Sequence, residues 1–97
     1  MANKSNEGND STGFLVNNGT TVYKNKGGFV GKLVITNVGT AATVIIYDNA
    51  TTGSGNILWS YATADGKIIL DLKVRAVNGI TIVVNSGGAI AGYITYS

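Results

Sequence analysis

The chain is expected to fold as an all-β, antiparallel β-sandwich of seven to eight short strands, jelly-roll or Ig-like. Three observations predict this. The apolar runs are short, rich in Val, Ile, Thr and Tyr, and bounded by Gly, Asn, Asp or Ser. Turn signals recur at intervals of about 10–14 residues, as sandwiches and small barrels require. Fourteen glycines and no prolines suit many tight connections and leave backbone N–H groups free to pair.

The elements follow in order. Residues 1–12, "MANKSNEGNDST", hold almost no apolar side chain and read as a polar arm, with the domain running from 13 to 97. "FLV" at 14–16 reads as a short first strand, and "TTVYK" at 20–24 follows the turn signal Asn18-Gly19. In "FVGKLVITN", 29–37, Leu33 and Ile35 share one face, with Lys32 and Thr36 on the other. "ATVIIYD", 42–48, is apolar on both faces, as a covered central strand would be. "NILWSY" at 56–61 follows a loop of small residues. "KIILDLK", 67–73, alternates most clearly: Ile68, Leu70 and Leu72 face one way, Lys67, Asp71 and Lys73 the other. Ile69 breaks the polar face. "ITIVV" at 80–84 and "AIAGYITY" at 89–96 complete the set. Asp65-Gly66 and Asn78-Gly79 are tight-turn dipeptides, and Ser86-Gly87-Gly88 marks another turn.

Composition narrows the function. The 97 residues fit one domain. Only 12% are charged, and the formal net charge is +2, so the surface is covered by Asn, Thr, Ser and Gly and suits packing against a neighbour. There is no cysteine and no histidine. That excludes disulfides, thiol chemistry and Ser/His/Asp or Cys/His triads, and removes the commonest metal ligand. The acids Asp48, Asp65 and Asp71 fall on separate segments, so local spacing pairs none of them for acid–base work, and no enzyme activity or cofactor is expected. The polar start carries no signal-peptide pattern and no run reaches the ~18 apolar residues of a membrane span, so a product that needs no export signal is expected.

The loop "DNATTGSGN", 48–56, is the one stretch that invites a ligand. As a helix-loop-helix calcium loop it places Ala50, Thr52 and Trp59 where oxygen ligands belong. As a phosphate loop, Gly53-Ser54-Gly55 lacks the following lysine. A sugar pocket is chemically better supported: Asp48 and Asn49 would orient hydroxyls beside an aromatic ring. The simplest reading is a strand connection whose Asp48 and Asn49 cap their own backbone. Trp59 reads as a core or inter-sheet anchor, or else as an interface contact. Lys24, Lys26 and Lys32 around "NKGG" are too few for a nucleic-acid face.

Several stretches together resemble small structural proteins of tailed bacteriophages, encoded among head and tail genes. They are Thr21–Lys24, the strand from Leu33 to Asn37, "IYDN" at 46–49 with Gly53–Gly55, "NGITIVV" at 78–84 and "YITY" at 93–96. The likeness covers about residues 20–97. Ala76-Val77 stand where the pattern carries a large aromatic before Asn-Gly. The resemblance implies a non-enzymatic head decoration (cement) protein on the virion surface, assembled in the host cytoplasm. Its partners would be the major capsid protein and itself, as a trimer or dimer, with no direct nucleic acid and no membrane. The alternatives are a carbohydrate- or receptor-binding module, or a neck or tail subunit. Residues expected to meet a partner are Asn3, Lys4, Asn6, Asn9 and Asp10 of the arm, then Phe14, Lys24, Lys26, Asp48, Asn49 and Trp59.

Overall fold

A computed structural model describes residues 11–16, 18–37, 41–62, 66–85 and 90–97. These residues form eight strands: β1 (Ser11–Phe14), β2 (Gly19–Lys24), β3 (Gly28–Asn37), β4 (Thr43–Asp48), β5 (Asn56–Ala62), β6 (Ile68–Ala76), β7 (Ile80–Asn85) and β8 (Ala91–Tyr96). Seven begin within two residues of the expected positions. The exception is β1, which starts at Ser11, inside the segment expected to be arm. Ser11 and Thr12 pair with Tyr96 and Thr95, so the ladder to β8 recruits two polar residues that local composition assigns to the arm.

Two antiparallel four-stranded sheets form the sandwich, in the orders β1-β8-β3-β6 and β2-β7-β4-β5. The pairs β4–β5, β3–β6, β2–β7 and β1–β8 are those of one long hairpin rolled up on itself, the jelly-roll arrangement. An Ig-like order would pair β2 with β5 instead. Only β4 and β5 are neighbours both in sequence and in a sheet. Every other connection crosses between the sheets. Asn78-Gly79 is therefore not a hairpin turn, as its sequence suggests, but part of the crossover from β6 to β7.

The core lies between the sheets. From the first come Val30, Leu33 and Ile35 of β3 and Ile94 of β8. From the second come Val44 and Ile46 of β4, Tyr61 of β5, and Ile80, Ile82 and Val84 of β7. Leu15, Leu58, Ile68, Leu70 and Leu72 pack against this cluster. The expected alternation of "KIILDLK" is realised residue by residue. Burying side chains of this size contributes roughly 1.5–3 kcal/mol each. At one end the sandwich is closed by Tyr23, whose hydroxyl donates to the carbonyl of Phe14 and whose ring lies 5.9 Å from that of Tyr96.

Bulges bend the strands. Opposite Gly31, β6 carries an extra residue: Val30 pairs with Val74, but Lys32 pairs with Asp71. Lys73 takes up the slack with φ of 49°, a left-handed conformation that costs a non-glycine residue roughly 1 kcal/mol. Its contact with Asp71, 3.6 Å between two well-exposed side chains, offsets little of this. Lys73→Gly is therefore expected to raise stability by no more than about 0.5 kcal/mol, after allowing for glycine's greater freedom in the unfolded chain. Urea denaturation at neutral pH checks it, and a variant less stable than the parent would show that the bulge carries no such strain.

Candidate interaction surface

The 48–56 connection is built from within. Asn49 Oδ1 accepts from the backbone N–H groups of Thr51 (2.8 Å) and Thr52 (2.9 Å), and its amide donates to the Ser54 carbonyl at 3.1 Å. This is the self-capping expected of an Asn in a turn. Asp48 behaves differently. It is buried, and its carboxylate accepts from the N–H groups of Asn78 (2.7 Å), Val77 (3.1 Å) and Gly79 (3.3 Å). It caps the β6–β7 crossover rather than its own loop, because β4 and β7 are paired and bring the two ends together. Burial pushes the carboxyl's pKa up, but the three N–H donors outweigh it and hold the group below its ordinary value.

The connection also covers the outside of its own sheet. Thr81 alternates with the core residues Ile80 and Ile82 and so faces away from the core, yet it is fully buried. Its hydroxyl donates to the Asn49 carbonyl at 2.7 Å. Gly53 lies so close against the Val83 side chain that a Cβ there would collide with it. The loop is thus a strap across β7, and the polar groups that a sugar site would use are already engaged.

The outer face of the other sheet presents a different surface. Phe14 pairs with Tyr93, Tyr93 with Val34, and Val34 with Ile69. Directly paired residues share a face, so these four form one apolar row across β1, β8, β3 and β6. The ring centroids of Phe14 and Tyr93 are 6.2 Å apart, edge to face. The ends of the row are open: Phe14 is 72% exposed and Ile69 76%. Val34, in the middle, is 6% exposed. Beside Ile69 an open groove of ≈ 410 Å³ is lined by Val34, Ile35, Thr36, Lys67 and Ile68. The next row along is polar: Thr12, Thr95, Lys32 and Asp71. A dry stripe bordered by charges of both signs is the composition of a protein-binding patch.

The residues expected to meet a partner are scattered. Asn3, Lys4, Asn6, Asn9 and Asp10 lie outside the described residues. Phe14 opens the apolar row. Lys24 ends β2 with its side chain against Gly28, and Lys26 is exposed in the following connection. Asp48 and Asn49 serve the strap. Trp59 is no core anchor: it is 40% exposed. Leu58 is the extra residue of a bulge against β4, where Ile46 pairs with Trp59 but Tyr47 with Ile57, and Leu58 packs on the core beside it. Sequence reasoning passed over Val34, Ile69 and Tyr93 as contact residues. The signal was present in Ile69, an apolar residue on an otherwise polar face. Among the described residues no three of His, Cys, Asp or Glu gather as a metal site. No family model, no curated protein and no solved structure matches the chain.

Proposed function

We propose that the chain is a non-enzymatic structural subunit of a tailed-phage virion, a head decoration protein that binds the major capsid shell and associates with itself. The observation that carries this reading is the apolar row Phe14–Tyr93–Val34–Ile69 on the outer sheet face, exposed at both of its ends. A soluble domain keeps such a stripe at the surface when something docks there. The resemblance at residues 20–97 supplies the kind of partner. The low charge supports it too, since contacts repeated over a symmetric shell gain strength by avidity rather than by individual affinity.

The test uses heads assembled without this protein. Purified chain is expected to bind them at a fixed number of copies and to raise the temperature at which they rupture. Phe14→Ser with Ile69→Ser removes both exposed ends of the row and is expected to weaken head binding at least about tenfold with the domain's own melting temperature nearly unchanged. No binding by the parent chain, or equal binding by the double variant, would overturn the reading.

A further inference from the structure

The outer faces of the two sheets differ in cover and in charge. On β2-β7-β4-β5 the chain's own strap lies over β7, and Thr81 beneath it is fully buried. On β1-β8-β3-β6 the ends of the apolar row, Phe14 and Ile69, stay open. From Lys67 through β6 every second residue is exposed: Lys67, Ile69, Asp71, Lys73 and Arg75. Lys32 stands exposed on β3 opposite Asp71. Among the described residues this face therefore carries four cations against one anion, and Asp71 lies 3.6 Å from Lys73. Lys32 and Lys67 flank the apolar row. Lys32 is two residues from Val34 and Lys67 two from Ile69, so each stands about 7 Å from the row. Because Val34 and Ile69 are paired antiparallel, the two lysines lie on opposite sides of it.

We infer that this face takes an extended segment of alternating apolar and acidic residues, laid along the row from Ile69 to Phe14. The row crosses three strand spacings, about 14 Å, which about four to five extended residues span. Every second side chain of such a segment points at the sheet. Apolar residues then meet Tyr93 and Val34, and one enters the groove beside Ile69. The carboxylates between them come within reach of Lys32 on one side and Lys67 on the other, whose stems can lie on apolar surface while the ammonium groups stay at its edge. A second copy of the chain does not fit, because stacking two such faces sets two net-positive surfaces against each other. A strand added to the β6 edge does not fit either, because the bulge opposite Gly31 interrupts that edge. On the proposed function the segment belongs to the shell subunit, and the inference rests on that reading for the segment's source alone.

Panning a displayed library of random short peptides on the purified full chain is expected to enrich sequences that alternate aliphatic residues with Asp or Glu. A synthetic peptide of the enriched sequence is expected to shift the backbone amide signals of Val34, Ile69 and Tyr93. Lys32→Glu with Lys67→Glu is expected to weaken that peptide at least about tenfold, with the melting temperature nearly unchanged because both side chains are exposed. Lys32→Arg with Lys67→Arg keeps both charges and is expected to stay within about threefold of the parent. The charge reversal is expected to weaken head binding by a similar factor. No enrichment, enrichment of neutral or basic sequences, signals that shift elsewhere, or tighter binding of a single-stranded oligonucleotide overturns the inference. Heads bound equally well by the reversed variant also overturn it, and leave the proposed function standing. A chain that selects these peptides but binds no heads overturns the proposed function and not the chemistry of the face.

Discussion

Replacing Asp48 by alanine is expected to lower the unfolding free energy by about 3 kcal/mol. Three backbone N–H groups donate to this carboxylate, and hydrogen bonds to a charged acceptor contribute about 1.5–3 kcal/mol each before rehydration. Val77 and Asn78 are exposed, so water replaces much of what their N–H groups lose. Gly79 is buried, and its N–H is left without an acceptor, a cost of about 1–3 kcal/mol. For a domain of this size, about 3 kcal/mol corresponds to a fall in Tm of roughly 12–24 °C. Asp48→Asn keeps one acceptor oxygen and is expected to lose about half as much.

The same contacts set an acid limit. Because the folded Asp48 holds its proton less tightly than the unfolded one, the unfolded state binds more protons as pH falls through the ordinary value of 3.8. The stability it contributes is present in full above that value and is lost as pH drops through the lower folded value. Urea titrations of the parent between pH 2 and 6 should show this loss, and Asp48→Asn should flatten it. Should Asp48→Ala cost under about 1 kcal/mol with the acid profile unchanged, the capping role is wrong and the carboxylate becomes available again for a ligand.

How far the sequence reached can be seen at these residues. Strand positions were legible because alternation is local: Ile68, Leu70 and Leu72 announce their shared face without reference to any other strand. The choice between jelly roll and Ig-like order was not, because seven strands bounded by similar turns fit either. Asp48 shows why. Its donors lie at Val77–Gly79, and they meet it only because β4 pairs with β7, a contact that no spacing rule encodes. Trp59 fails for a different reason. Trp59 keeps the core-facing side, paired with the buried Ile46, but β5 is an edge strand and the extra residue Leu58 packs on the core beside it, so Trp59 remains 40% exposed. The apolar row was half legible: Ile69 stood out as an exception, but its alignment with Val34, Tyr93 and Phe14 depends on three strand pairings.

Gly79→Ala tests the other half of the same junction and is expected to cost about 3 kcal/mol or more. Its sequence context, Asn-Gly, suggests a glycine chosen for left-handed backbone. The structure assigns another reason. Gly79 is not among the residues with positive φ; instead a Cβ there would lie 2.6 Å from the Lys24 carbonyl oxygen, 2.7 Å from Ala50 Cα and 2.7 Å from the Asn49 carbonyl oxygen. All three are backbone atoms, from two connections, so no side-chain rotation relieves the overlap, and the crossover must move off Asp48. Gly66 is the control. Its φ is +75° and a Cβ added there would meet no atom within 4 Å, so Gly66→Ala carries only the left-handed penalty of roughly 1 kcal/mol. Gly66→Asn should lose less than Gly66→Ala, since asparagine tolerates that conformation, whereas no residue type rescues position 79. Denaturation of the three variants decides it. If Gly79→Ala proves no worse than Gly66→Ala, the close approach of the three connections is not what holds this end of the sandwich. If the predicted order is found, the strap, the Asp48 cap and Gly79 form one packed junction, and the 48–56 loop owes its composition to that junction.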